Sequence, residues 1–318
     1  MRLALFLPSQ PNEMWQLGGQ LGVTDAVTSL PLNAKGRPSW EFTDFLRLKQ
    51  SFADAGLNAT VLESSPPMDR IKLGLPGRDE EIEQVCQMLT NMGAAGINIW
   101  CYNFMAVIGW FRTSVTTHTR GGALVTSFDQ ELLKDAPLTE AGVVPQERLW
   151  ENYAYFLERV LPIAERANVK LALHPDDPPI PSLRGIGRIF ISVEALQRAT
   201  EMIPSDYNGI TFCQGTIKTM GADIPTAIRQ FGSQKIHFVH FRDTLGTPTR
   251  FVETFHDAGP TDMLTAIRTY QEIGFNGPIR PDHVPTMAGD DNSSPGYTTR
   301  GRLYAIGYMR GLLEQSAR

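Results

Sequence analysis

The chain contains no apolar run approaching the roughly 18 residues that a membrane-spanning helix requires. Its opening stretch, MRLALFLPSQP, is broken at Pro8, too short and too early for a secretory signal, so a cytoplasmic location is expected. Basic clusters are also missing: none of the 29 Lys and Arg residues form a run, and the net charge is −5. That argues against a nucleic-acid or anionic-membrane surface as the natural partner and makes a small molecule the expected one. Cysteine is scarce. Cys86, Cys101 and Cys213 are widely spaced, which describes reduced thiols and no disulfide framework. Cys86 falls within a helical pattern and reads as a small buried hydrophobe, whereas Cys213 stands at a strand end beside Gln214 and Gly215. No GxGxxG or GxxxxGK[ST] stretch occurs, so no phosphate-cradling loop is indicated.

What is present is alternation. Short apolar runs at Leu3 to Leu7, Val23 to Ser29, Asn58 to Leu62, Ile97 to Cys101, Val169 to Leu173, Gly209 to Phe212, Lys235 to Phe241 and Gly277 to Arg280 read as eight strands. Between them, apolar residues recur at spacings of three and four, as at Ile82, Val85, Leu89 and Met92, or Tyr153, Phe156, Leu157, Val160 and Leu161. Gly56, Gly96 and Gly274 stand where such helices should stop. Eight βα units in 318 residues predict one (β/α)8 TIM barrel spanning the whole chain, with a doubly wound open sheet as the competing arrangement. Two segments, about residues 110–146 and 244–261, lack the repeat, apart from one short strand over Ala123 to Ser127. They are expected to be enlarged loops over the mouth of the barrel.

The polar residues gather where a barrel binds its ligands. VKLALHPDDPP delivers His174 to a strand end, NGITFCQG ends on Cys213, KIHFVHFRD presents His240, and GPIRPDH ends on Asp282 and His283. A parallel barrel brings consecutive C-terminal strand ends into one ring, and imidazole, thiolate and carboxylate are divalent-metal ligands. His174, Cys213, His240 and Asp282 are therefore the candidate metal ligands. His237 lies three positions before His240, on the opposite strand face, and reads as a packing residue. Arg280 suits a carboxylate, because guanidinium makes two parallel charge-assisted bonds. Asn103, Asp176, Arg242 and Lys218 are further candidate substrate contacts. The loop Val284 to Thr299 should carry Tyr297 above Asp282, its phenol able to move a proton if a nearby cation lowers its pKa.

LALHPDDPP, FCQGT, HFVHFRD and RPDH, with ESSPPMDRIKLGLPGRD, CYNFMAVIGWFRT and PGY, closely resemble the mannonate dehydratase family from about residue 57 onward. That resemblance implies a metal-dependent barrel of the xylose-isomerase-like superfamily, converting D-mannonate to 2-keto-3-deoxy-D-gluconate and water. It implies a divalent metal, Mn²⁺ first, with Fe²⁺, Co²⁺ or Zn²⁺ as alternatives suited to a thiolate, on His174, Cys213, His240 and Asp282. Tyr297, His283, Asp282 and Arg280 match the family's catalytic positions. The implied partner is a sugar acid, and a homodimer is compatible with the sequence. The chain departs from the family at Ala106 to Gly109, where an acidic position is lost, and at Val284, where glycine is usual. The competing functions are a sugar isomerase or epimerase on the same barrel, a dehydratase of another aldonate, and a non-catalytic sugar-acid binder.

Overall fold

In the computed structural model, which describes residues 1–316, eight parallel strands close into a barrel in sequence order. They are β1 (Arg2–Leu7), β2 (Asp25–Thr28), β3 (Asn58–Leu62), β4 (Ile99–Tyr102), β5 (Lys170–Leu173), β6 (Asn208–Cys213), β7 (Ile236–Phe241) and β8 (Pro278–Pro281). Closure is made by β8 pairing with β1, Arg2 opposite Pro278 and Leu3 opposite Ile279. The open-sheet alternative is thereby removed. Gly56, Gly96 and Gly274 take φ of +73°, +80° and +73°, the left-handed conformation that lets a helix turn back into the next strand.

Side chains alternate across each strand. One set faces the surrounding helices and joins a large core with residues such as Phe156, Leu157 and Val160 of the helix Gln146–Arg166. The other set fills the barrel: Ala4, Val27, Val61, Ile99, Cys101, Ala172 and Phe238 form a separate interior cluster. This period of two, continued past the strand ends, positions the site. Two residues beyond Val61, Cys101, Ala172 and Phe238 stand Glu63, Asn103, His174 and His240. On β6 and β8, Thr211 and Arg280 are followed at the same spacing by Cys213 and Asp282.

The two segments expected to be loops are partly sheet. Ser114–His118 and Leu124–Asp129 from the first pair with the hairpin Thr244–Thr247 and Arg250–Glu253 from the second, in one four-stranded antiparallel sheet. Phe251 lies opposite Phe128, and both pack with Ile180 and Leu183 in a small core of their own. No helix among the described residues is long and apolar enough to cross a membrane.

Candidate active site

The C-terminal mouth encloses a cavity of about 480 Å³ lined by residues of several strand ends, among them Glu63, Asn103, His174, His240, Asp282, His283 and Tyr297. A larger hollow of about 680 Å³ lies elsewhere, along Asp129, Ser182 and Arg250. The metal-ligand residue types do not converge there.

At the cavity floor, nitrogen and sulfur atoms of His174, Cys213 and His240 all lie within 4.8 Å of one another. Asp282 Oδ2 stands 4.0 Å from Cys213 Sγ and 3.7 Å from His240 Nδ1. The Nδ1 of His174 faces the Pro175 carbonyl at 2.7 Å; because a carbonyl only accepts, Nδ1 carries a proton and Nε2 is the nitrogen left for a cation. Neither ring nitrogen of His240 makes a hydrogen bond within the protein, although Glu63 Oε1 stands 3.3 Å from Nε2. Unpaired buried nitrogens beside a thiolate and a carboxylate fit a divalent cation of borderline softness. Burial raises the Cys213 thiol, but Arg242 and His174 overcome it and hold the group well below its ordinary range. Burial lowers His174, and the neighbouring Cys213 reverses this and raises it to about 9. Binding a cation here would displace that proton, as metal ligation generally does. His237 points to the outer face as expected, with both nitrogens unpaired and its pKa lowered to about 3 by burial and by Lys170 and Lys235.

Around this floor runs a buried ion network. Asp282 accepts from Arg280 at 2.8 Å on Oδ1 and pairs with Arg242 at 2.8 Å on Oδ2. Arg242 also binds Asp177 at 2.7 Å and Glu253 at 2.6 Å, and Arg112 bridges the same two carboxylates. Burial raises all three acids, yet the guanidinium groups and His283 bring Asp282 and Asp177 well below the carboxylate range and Glu253 to about 2. Asp177, Glu253 and His283 lie close enough together to suggest a second cation site, but the two guanidinium groups already neutralise those carboxylates.

His283 projects from a left-handed backbone, φ +32°, a conformation that costs a non-glycine residue about 1–3 kcal/mol and gathers at functional sites. Its ring sits between Trp110 and Tyr297, with centroids 4.9 and 5.7 Å away. Its Nδ1 lies 3.0 Å from Glu253 Oε1. An ionised carboxylate only accepts, so Nδ1 donates, and in the neutral ring Nε2 is the acceptor. The Tyr297 hydroxyl donates to Asp282 Oδ1 at 3.3 Å. Burial and Asp282 push its phenol upward, outweighing Arg280; this reverses the expected lowering and keeps the phenol protonated.

Several expected substrate contacts are placed otherwise. Arg280 is fully buried and engaged by Glu63 at 2.7 and 3.1 Å besides Asp282, so it holds protein carboxylates rather than presenting a free fork. Arg242 is likewise buried behind the floor. Asp176 accepts the backbone amides of Ile189 at 2.7 Å and Phe190 at 3.0 Å. Lys218 lies on the helix Gln214–Thr219. None of these four lines the cavity, whereas Asn103 does. Sequence reasoning missed Glu63, Lys72 and Glu253. The inward parity from Val61 was the available signal for Glu63; Glu253 reaches His283 only through pairing of the two insertions. The altered positions Gly109 and Val284 also stay off the cavity wall. Val284 is buried, bridged to Gly296 and against Gly301 of the terminal helix.

The D-mannonate dehydratase (UxuA) family model matches residues 13–144 and 140–318. A mannonate dehydratase of Thermotoga maritima is 35% identical, over 95% of this chain and 92% of its own. The crystal structure of mannonate dehydratase from Streptococcus suis serotype2 superposes with a TM-score of 0.91 at 30% identity, covering 100% of this chain and 95% of the other. D-psicose 3-epimerase from Clostridium cellulolyticum H10 shares the barrel at a TM-score of 0.63, but at 13% identity, which is a likeness of fold alone. With a matching family model along nearly its whole length and a His, His, Cys, Asp floor under Tyr297 and His283, the chain belongs to the mannonate dehydratase family.

Proposed function

We propose that this protein is a metal-dependent hydro-lyase that converts D-mannonate to 2-keto-3-deoxy-D-gluconate and water. The observation that carries the reading is the convergence of His174, Cys213 and His240, with Asp282 Oδ2 4.0 Å from Cys213 Sγ and 3.7 Å from His240 Nδ1, under a cavity that Tyr297 and His283 also line. A divalent cation on those four ligands, Mn²⁺ in the first instance, would supply Lewis acidity to the oxygens of the sugar acid. The protein's own residues handle the protons. His283 Nε2, oriented by Glu253 through Nδ1, takes the proton from C2. Tyr297, held as a neutral phenol, gives its proton to the C3 hydroxyl as that carbon–oxygen bond breaks and water leaves. The resulting enol becomes the 2-keto acid by tautomerisation. Arg280 and Arg242 act as positioning residues that hold Asp282 ionised and in place.

Neither Gly109, where the family's acidic position is lost, nor Val284 itself lines the cavity, which favours D-mannonate over another aldonate. The test is incubation of purified protein with a panel of aldonates and ketoses plus Mn²⁺, with detection of the 2-keto-3-deoxy product. D-Mannonate should be consumed, chelation should abolish turnover, and added metal should restore it. Interconversion of ketoses without any keto-deoxy product would establish an epimerase instead.

A further inference from the structure

The guanidinium groups around the floor are neutralised by protein carboxylates: Arg280 by Glu63 and Asp282, Arg242 and Arg112 by Asp177 and Glu253. Arg188, also buried, donates to the backbone carbonyls of Asp177, Ile108 and Gly109 and does not line the cavity. A sugar acid entering the site carries a carboxylate that none of them can take without losing a partner. Among the described residues lining the cavity, Lys72 is the sole Lys or Arg. It sits on the short helix Asp69–Leu73 that follows β3. Its Nζ lies 3.0 Å from the Met105 carbonyl and 3.4 Å from Asn103 Oδ1, and no described carboxylate oxygen pairs with it within ion-pair distance. An ammonium has three donors. Two are directed at these oxygens, which only accept, and the third is left for the cavity.

The mounting is rigid. Glu81 Oε2 accepts the backbone amides of Arg70 and Ile71 at 2.9 and 3.1 Å, and Asn152 donates to the Lys72 carbonyl at 2.8 Å. A cation placed at a cavity wall without a bonded anion is costly unless a ligand supplies one. Resting on the dehydratase reading above, we propose that Lys72 Nζ binds the substrate's carboxylate, so that it selects aldonates over neutral alditols and ketoses at this site. Burial lowers the ammonium to about 8 against the raising effect of Asp69 and Asp176, which leaves it mostly protonated at neutral pH; with two acceptors on Nζ, it serves as an anchor.

The test uses metal-loaded wild type, Lys72→Met and Lys72→Arg, with D-mannonate as substrate and D-mannitol as the uncharged competitor. A charged hydrogen bond of ordinary strength predicts a KM about 10- to 100-fold higher in Lys72→Met, with a much smaller change in kcat, unchanged metal content and unchanged inhibition by D-mannitol. Lys72→Arg should recover most of the affinity, which a merely structural lysine would not require. Unchanged KM in Lys72→Met, or a collapse of kcat at constant KM, overturns the proposal. If wild type fails to dehydrate D-mannonate, the dehydratase reading falls separately. Calorimetric titration of wild type and Lys72→Met with paired aldonates and alditols then decides the role of Lys72. Equal aldonate preference in the two proteins, or none in wild type, refutes it. If Lys72→Met does not fold, the same titration on Lys72→Gln gives the answer.

Discussion

A single hydroxyl separates two views of Tyr297. In one it is an aromatic wall, packed against Phe6 and His283 at centroid distances of 5.8 and 5.7 Å; in the other it is the proton donor that releases water. Tyr297→Phe keeps the ring and deletes the donor. Loss of a general acid is expected to lower kcat by about 10²- to 10⁴-fold, with KM and metal content changed little, as steady-state kinetics and elemental analysis would show. A kcat near wild type would leave Tyr297 as wall alone. Tyr297, like His174, Cys213, His240 and Asp282, was legible in the sequence because a strand end or a glycine-bounded loop marks it. Arg280 was placed among the substrate contacts because its chemistry suits a carboxylate. Its actual partner, Glu63, comes from 217 residues upstream, and local pattern carries no record of such pairing.

At the scale of elements, the barrel strands and their order were readable from periodicity and glycine stops, whereas the insertions were not. The segments 110–146 and 244–261 become one sheet only by pairing Arg250 with Asp129 and Phe251 with Phe128, contacts more than a hundred residues apart. Of its four strands only Leu124–Asp129 announces itself, as the short run Ala123 to Ser127; the other three are short and partly polar. The sheet's task is to bring Glu253 to His283 and Arg112 to both Glu253 and Asp177. The Arg112 guanidinium carbon lies 4.7 Å from the Phe251 ring centre and 4.9 Å from that of Trp110, so both rings help hold the cation in place. Arg112→Met removes the charge while keeping much of the volume, leaving two buried carboxylates short of a partner. Breaking one side of a buried pair costs about 3–5 kcal/mol, and chemical denaturation should show a loss of that order. A variant as stable as wild type would mean that Arg242 alone balances Asp177 and Glu253.

For the whole molecule, the acid side of the stability curve follows from histidines that the barrel buries uncharged. His237 is held at about 3 by burial, helped by Lys170 and Lys235; His256 is held at about 4, where burial outweighs the Phe241 carbonyl and nearby carboxylates. Both folded values lie below the unfolded value of about 6.5. Between about pH 6.5 and 4 the unfolded chain therefore binds protons that the folded chain refuses, so each group stabilises the fold above pH 6.5 and that contribution drains away as pH falls. The carboxylates at about 2, Glu63 and Glu253, act in the same direction but only once pH drops below the unfolded carboxyl value of about 4.3, so the two ranges separate. For His237 alone the linkage amounts to about 2 kcal/mol between pH 7.5 and pH 5. Comparing wild type with His237→Leu by denaturant titration at those two values cancels the other groups, including the metal-ligand residues that both proteins share. Wild type should lose about 2 kcal/mol more than the variant on acidification. Equal losses would mean that His237 already takes up its proton in the folded barrel, and that the outer face of β7 admits water.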